Sequence, residues 1–90
     1  MSSVLTLPET LTIQTVQTEY ENMAAQLSEL NERITLQASR VVNIDSAGLQ
    51  LLLAFISKIQ RDGKSFEWES PSDALLKNSE NLGLSDQLQL

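Results

Sequence analysis

The chain has no cysteine and no histidine among its 90 residues. Those two absences exclude a disulfide scaffold, thiol chemistry, a histidine general base and the common zinc sites. No motif calls for another metal or for a cofactor, and the lack of thiols fits a reducing compartment. Cations are scarce as well. Six Lys and Arg stand against twelve Asp and Glu, a net charge of −6, and the first basic residue is Arg33. Sequence-independent nucleic-acid binding needs clustered cations, so nucleic acid is not an expected partner. The longest apolar run, Leu51 to Ile56, is far too short to span a bilayer, and no direct membrane insertion is expected. The opening Met1-Ser2-Ser3-Val4 lacks the positive and apolar segments of a secretion signal, so the expected setting is cytoplasmic.

What is present reads as an ordinary globular chain, 41% hydrophobic and 20% charged. Area scaling gives a folded surface of about 5,200 Å², roughly 64% of the chain's surface being buried. That suffices for one thin core, and no repeat or linker divides the chain, so residues 1–90 are expected to form a single domain. Val4-Leu5-Thr6-Leu7 suits a short strand limited by Pro8. Val16, Tyr20, Met23, Ala24, Leu27 and Leu30 recur at helical spacing, with Thr12 or Thr15 available as a cap. Ile34 to Ala38 alternates like a strand, and Val41-Val42-Asn43-Ile44 follows a loop through Ser39 and Arg40. Asp45-Ser46 then opens a second helix carrying Leu49, Leu52, Leu53, Ile56 and Ile59. Leu51, Ala54 and Phe55 widen its apolar surface, so the helix is either central or covered by a partner. Lys58 and Arg61 suit its C-terminal dipole, and Gly63 suits a left-handed cap.

Phe66 and Trp68 alternate with Glu67 and Glu69 in a last strand, Ser65 to Glu69. In Ser70-Pro71-Ser72-Asp73, Ser70 reads as a cap and Pro71 as the first helical residue, with Asp73 reinforcing the start. Leu75, Leu76 and Leu82 would be the buried face of that third helix before Gly83, while Ser85 to Leu90 has no clear pattern. The order β-α-β-α-β-α requires a largely parallel sheet with helices packed on it, a small α/β sandwich. Leu36, Leu53, Ile56 and Trp68 are expected in its core.

The segment with chemical interest is Ile44-Asp45-Ser46-Ala47-Gly48-Leu49. A serine at a helix N-terminus sits among unpaired N–H groups and the positive end of the dipole, where a phosphoryl group is well accommodated. The small Ala47 and Gly48 would let another protein approach the backbone, so that Gly48→Arg is expected to abolish association without disturbing the fold. The plainer reading is that Asp45 and Ser46 are ordinary N-caps. Asp62-Gly63-Lys64 lacks the glycines of a phosphate loop, no paired carboxylates mark a catalytic site, and no enzyme is expected.

Asp45-Ser46-Ala47-Gly48-Leu49, after a strand and a short loop, resembles the D-S-x-G-L segment of STAS domains. The element order agrees from Leu5 to about Leu84, and Asn81-Leu82-Gly83-Leu84 resembles the family's last helix and its ending. The resemblance implies an anti-sigma-factor antagonist-like regulator that works by reversible protein association, alone or as a weak dimer. In that family a kinase-like anti-sigma factor phosphorylates the serine and a phosphatase reverses the step. The resemblance therefore makes Ser46 the phosphoacceptor, with Asp45, Ala47, Gly48 and Leu49 in or beside the partner surface. Thr10-Leu11-Thr12 stands where an acidic Glu-Leu-Asp segment is frequent, and the extra N-terminal strand of longer members has no counterpart. Both departures bring the chain closer to short, MlaB-like members. These imply a constitutive accessory subunit of a lipid-transport ABC system or a chemotaxis-type signalling adaptor, with Ser46 only a helix cap. An acyl carrier protein also places Asp-Ser at a helix start, but its all-helical fold disagrees with the strand patterns here.

Overall fold

The computed structural model describes residues 2–90; Met1 falls outside that range. Three strands form the main sheet: β1 (Ser2–Thr6), β3 (Arg33–Gln37) and β5 (Ser65–Glu69) lie parallel in the order β1-β3-β5. Two pairs of residues, β2 (Thr10–Leu11) and β4 (Asn43–Ile44), make a second, parallel ladder. Parallel neighbours need a crossover, and α1 (Val16–Leu27) and α2 (Ser46–Arg61) supply the two that build the main sheet. α3 (Asp73–Asn81) and a short α4 (Ser85–Leu88) complete the chain. The expected α/β sandwich with a parallel sheet is what forms.

Register decides which side of the sheet carries the core. Leu5, Leu36 and Trp68 are aligned across the three strands, and Ile34 is aligned with Phe66. Leu5, Ile34 and Leu36 are buried on this side; Phe66 and Trp68, on an edge strand, are half-buried. The other side, with Val4, Thr6, Arg33, Glu67 and Glu69, is exposed. Thr35 is the exception there: it is 8% exposed on the central strand and its hydroxyl donates to Glu67 Oε1 at 3.4 Å. Such one-sided burial is uncommon for a parallel sheet. It explains the polar alternation of the strands.

α2 is central. It packs against α1, α4, β5 and the β2–β4 ladder, which absorb most of its wide apolar surface within the chain itself. Leu49, Leu52, Phe55 and Ile59 are fully buried, and Phe55 meets the edge of Tyr20 with ring centroids 6.4 Å apart. Leu53, expected in the core, is only half-buried, because Leu52 and Phe55 take the inward positions beside it. Gly63 adopts φ +78°, the left-handed conformation that ends the helix. Lys64 then reaches back, its Nζ donating to the carbonyls of Leu27 and Leu30 at 2.7 Å each. The end of α1, which has no basic residue in its own last turn, gains its cation from a neighbouring strand's approach.

The third helix starts later than its sequence suggests. Ser72 is the cap, accepting from the Leu75 N–H at 3.1 Å, and Pro71 precedes the helix. Ser70 has φ +49°, so the chain reverses there instead of entering the helix. Inside α3 the buried positions are Leu75 and Ser79; Leu76 is 38% exposed and Leu82 50%. Leu88, in the tail, is by contrast 0% exposed. Trp68 Nε1–H donates to the Leu88 carbonyl at 2.8 Å and fastens that tail.

Candidate functional site

The N-terminus of α2 is built around the carboxylate of Asp45. One oxygen, Oδ1, accepts the Gly48 N–H at 3.0 Å and caps the helix. The other, Oδ2, accepts the Ile13 N–H at 3.0 Å across a large sequence gap. Asp45's own N–H donates to the Leu11 carbonyl at 3.2 Å. The bonds to the carboxylate itself hold it below the usual carboxylate range, the Ile13 bond contributing most and the Gly48 bond next. The facing turn is closed by Thr15, whose Oγ1 accepts the Thr12 N–H at 3.0 Å and lies 3.3 Å from the Thr10 and Thr12 carbonyls.

Gly48 explains how the two segments come so close. A Cβ there would overlap the Leu11 carbonyl oxygen and stand 2.9 Å from Ile44 Cγ1. The small residue admits this chain's own backbone, not a partner's. The expectation that Gly48→Arg leaves the fold intact is therefore overturned. Leu49 is also turned inward and fully buried, so Gly48 and Leu49 do not contribute to an exposed partner surface.

The other three expected site residues remain accessible in differing degrees. Asp45 is half-buried and engaged as the cap. Ser46 is the first residue of α2, exposed, and its hydroxyl makes no hydrogen bond among the described residues. The reading of Ser46 as the helix cap is thus corrected: Asp45 satisfies the donor that a capping hydroxyl would take. Ala47, half-buried, lines an open groove of about 420 Å³ between α1 and α2. Val16, Tyr20 and Leu51 form its apolar wall with Ala47, and the exposed Gln17, Glu21 and Gln50 border it.

Ile13 was not legible as part of this neighbourhood. It is 71% exposed, the most exposed large hydrophobic residue described, and its backbone is bonded to the helix cap beside Ser46. The available signal was an isolated apolar residue in the polar stretch Thr12-Ile13-Gln14-Thr15, which has no period of its own. Lys58, Arg61 and Lys64 do not combine into an anion site: Lys58 pairs with Asp62 at 3.9 Å and Lys64 serves α1. Among the described residues no group of three or more His, Cys, Asp or Glu side chains is placed to hold a metal ion. None of the helices described is long and apolar enough to cross a membrane.

The geometry thus offers an exposed, unengaged hydroxyl beside an apolar groove, on a helix end whose structural bonds are made by its neighbours. No curated protein matches the chain. A family model described as Mlab, STAS domain matches it over residues 1–90, and the chain accordingly belongs to the STAS domain family in its MlaB-like branch.

Proposed function

We propose that residues 1–90 act as one cytoplasmic regulatory domain that binds a protein partner through the N-terminal end of α2, with Ser46 as a phosphorylation switch. STAS domains act through protein–protein association and are generally non-catalytic. The observation that carries the switch is the exposed Ser46 hydroxyl, which no structural bond requires. A kinase-like partner of the anti-sigma type would transfer the γ-phosphoryl group of ATP. One P–O bond forms to Ser46 Oγ as the bond to the β-phosphate oxygen breaks, and the hydroxyl proton passes to a base on the kinase. Hydrolysis by a phosphatase releases phosphate and restores the hydroxyl. The added charge, roughly −1.5 to −2, is tolerated at the free helix end but must be desolvated in an apolar interface.

The MlaB-like family match supports a second reading, in which the same surface seats the domain permanently as an accessory subunit of a lipid-transport ABC system. Binding measurements on two variants separate the two. For the switch, Ser46→Asp weakens association while Ser46→Ala retains it, and mass analysis finds phosphate on Ser46 in cells. Because Asp45 is the cap, Ser46→Ala should change stability by no more than about 0.5 kcal/mol. Tight binding by Ser46→Asp together with a permanently unmodified Ser46 would leave the constitutive subunit.

A further inference from the structure

We infer that Asp45 is a positioning residue that ties the Ser46 helix end to the Ile13 turn, so that a charge placed on Ser46 is transmitted to Ile13. The inference deepens the reading above, taking Ser46 as the modified position, but the coupling itself belongs to the isolated chain. It starts from a carboxylate with both oxygens committed, Oδ1 to Gly48 and Oδ2 to Ile13. The Ile13 side chain is 71% exposed, so no burial fixes where it projects. Its N–H has one partner, and that partner is Asp45. By contrast Thr12 is held by the Thr15 hydroxyl and Leu11 by its ladder with Ile44, neither of which depends on the carboxylate.

A phosphate on Ser46 would enter next to this carboxylate in sequence. It would draw on the same helix-end donors, including the Gly48 N–H that Asp45 now holds, and two adjacent anions repel. Gly48 packs so closely on the Leu11 backbone that the helix end itself has little room to shift. The bond free to yield is the one from Ile13 to Asp45 Oδ2, which closes an exposed turn. Its loss would release Ile13 from its place beside Ser46. Phosphorylation would then remove an apolar contact as well as adding charge. Asp45, included at the sequence level among partner contacts, would instead act through Ile13.

The test is a ¹⁵N amide spectrum of the chain with phosphoserine installed at position 46, beside the unmodified chain and the same pair in an Asp45→Asn background. Asparagine still caps a helix, but an NH2 donor replaces one of the two separate oxygens that accept the Gly48 and Ile13 N–H groups. In the parent, phosphoserine should move the Ile13 amide upfield. It should also speed its solvent exchange roughly tenfold, as expected for loss of a charge-assisted hydrogen bond, while the Thr12 amide stays put. In Asp45→Asn the Ile13 amide should already be released and respond no further. An Ile13 amide indifferent to phosphoserine in the parent, or equally responsive in both backgrounds, would overturn the inference. No partner enters the measurement, so its failure and failure of the binding switch are told apart.

Discussion

On its α1 side, α2 faces a groove where Val16 and Tyr20 are left half-buried; on its α4 side, Leu88 is sealed completely and its carbonyl is bonded to Trp68. The two sides draw on similar residue types. The sealed side needs only one short helix, one buried leucine and one indole hydrogen bond. A chain of this size therefore has a means of closing an apolar surface, and the tail applies it to one side alone. The open side instead keeps an apolar wall that includes Ala47, next in sequence to the unengaged Ser46, and the proposed partner would be seated there.

Breaking the sealed side should have the largest effect. Leu88→Ala empties a fully buried site and should cost about 2–5 kcal/mol, read as a lowered denaturant midpoint. Gly48→Ala comes next. Its Cβ must displace the Leu11 backbone, a cost of about 1–3 kcal/mol and toward the upper end because a carbonyl, not a flexible side chain, is in the way. A thermal melt unchanged by this substitution would show that the two segments are not packed as described. Val16→Ala, on the open side, removes two methyl groups from a half-buried position and should cost about 1 kcal/mol or less, while weakening association with a partner seated in the groove. If Val16→Ala cost as much as Leu88→Ala, the contrast between the sides would be lost.

The smallest effect is on pH dependence. Asp45 has a folded pKa below its ordinary value of 3.8, so folding favours the ionised form. Its contribution is fully present above 3.8 and is lost as pH falls through the lower folded value. Asp45→Asn, less stable than the parent at neutral pH, should therefore lose less on acidification below 3.8, and melts across that range would show the two curves converging.

Periodicity made the long elements legible. Helices of 12 and 16 residues and the five-residue strands β3 and β5 repeat their apolar positions often enough to declare themselves, whereas β1 has no repeat and spans Ser2–Thr6 where Val4 to Leu7 was expected. The Asp45-Ser46 helix start was legible for the same reason, together with its capping residue types. The β2–β4 ladder was not, since two residues have no period. Gly48 read as a feature for a partner because its actual neighbour, Leu11, lies far off in sequence and local pattern carries no trace of that approach. Ser70, Pro71 and Asp73 read together as one helix start, and the backbone reversal at Ser70 moves the cap to Ser72 instead. Leu82 and Leu88 are equally apolar, yet of the two only Leu88, in the tail bonded to Trp68, is buried.

The indole latch also has an optical consequence. Trp68 is the sole tryptophan and Tyr20 the sole tyrosine of the chain. The first is bonded to the tail on the sealed side, and the second lines the groove on the open side. Each side of α2 thus carries its own native chromophore. Emission from the indole follows attachment of the tail, and phenol absorbance follows what enters the groove, so the unlabelled protein reports on its two surfaces separately.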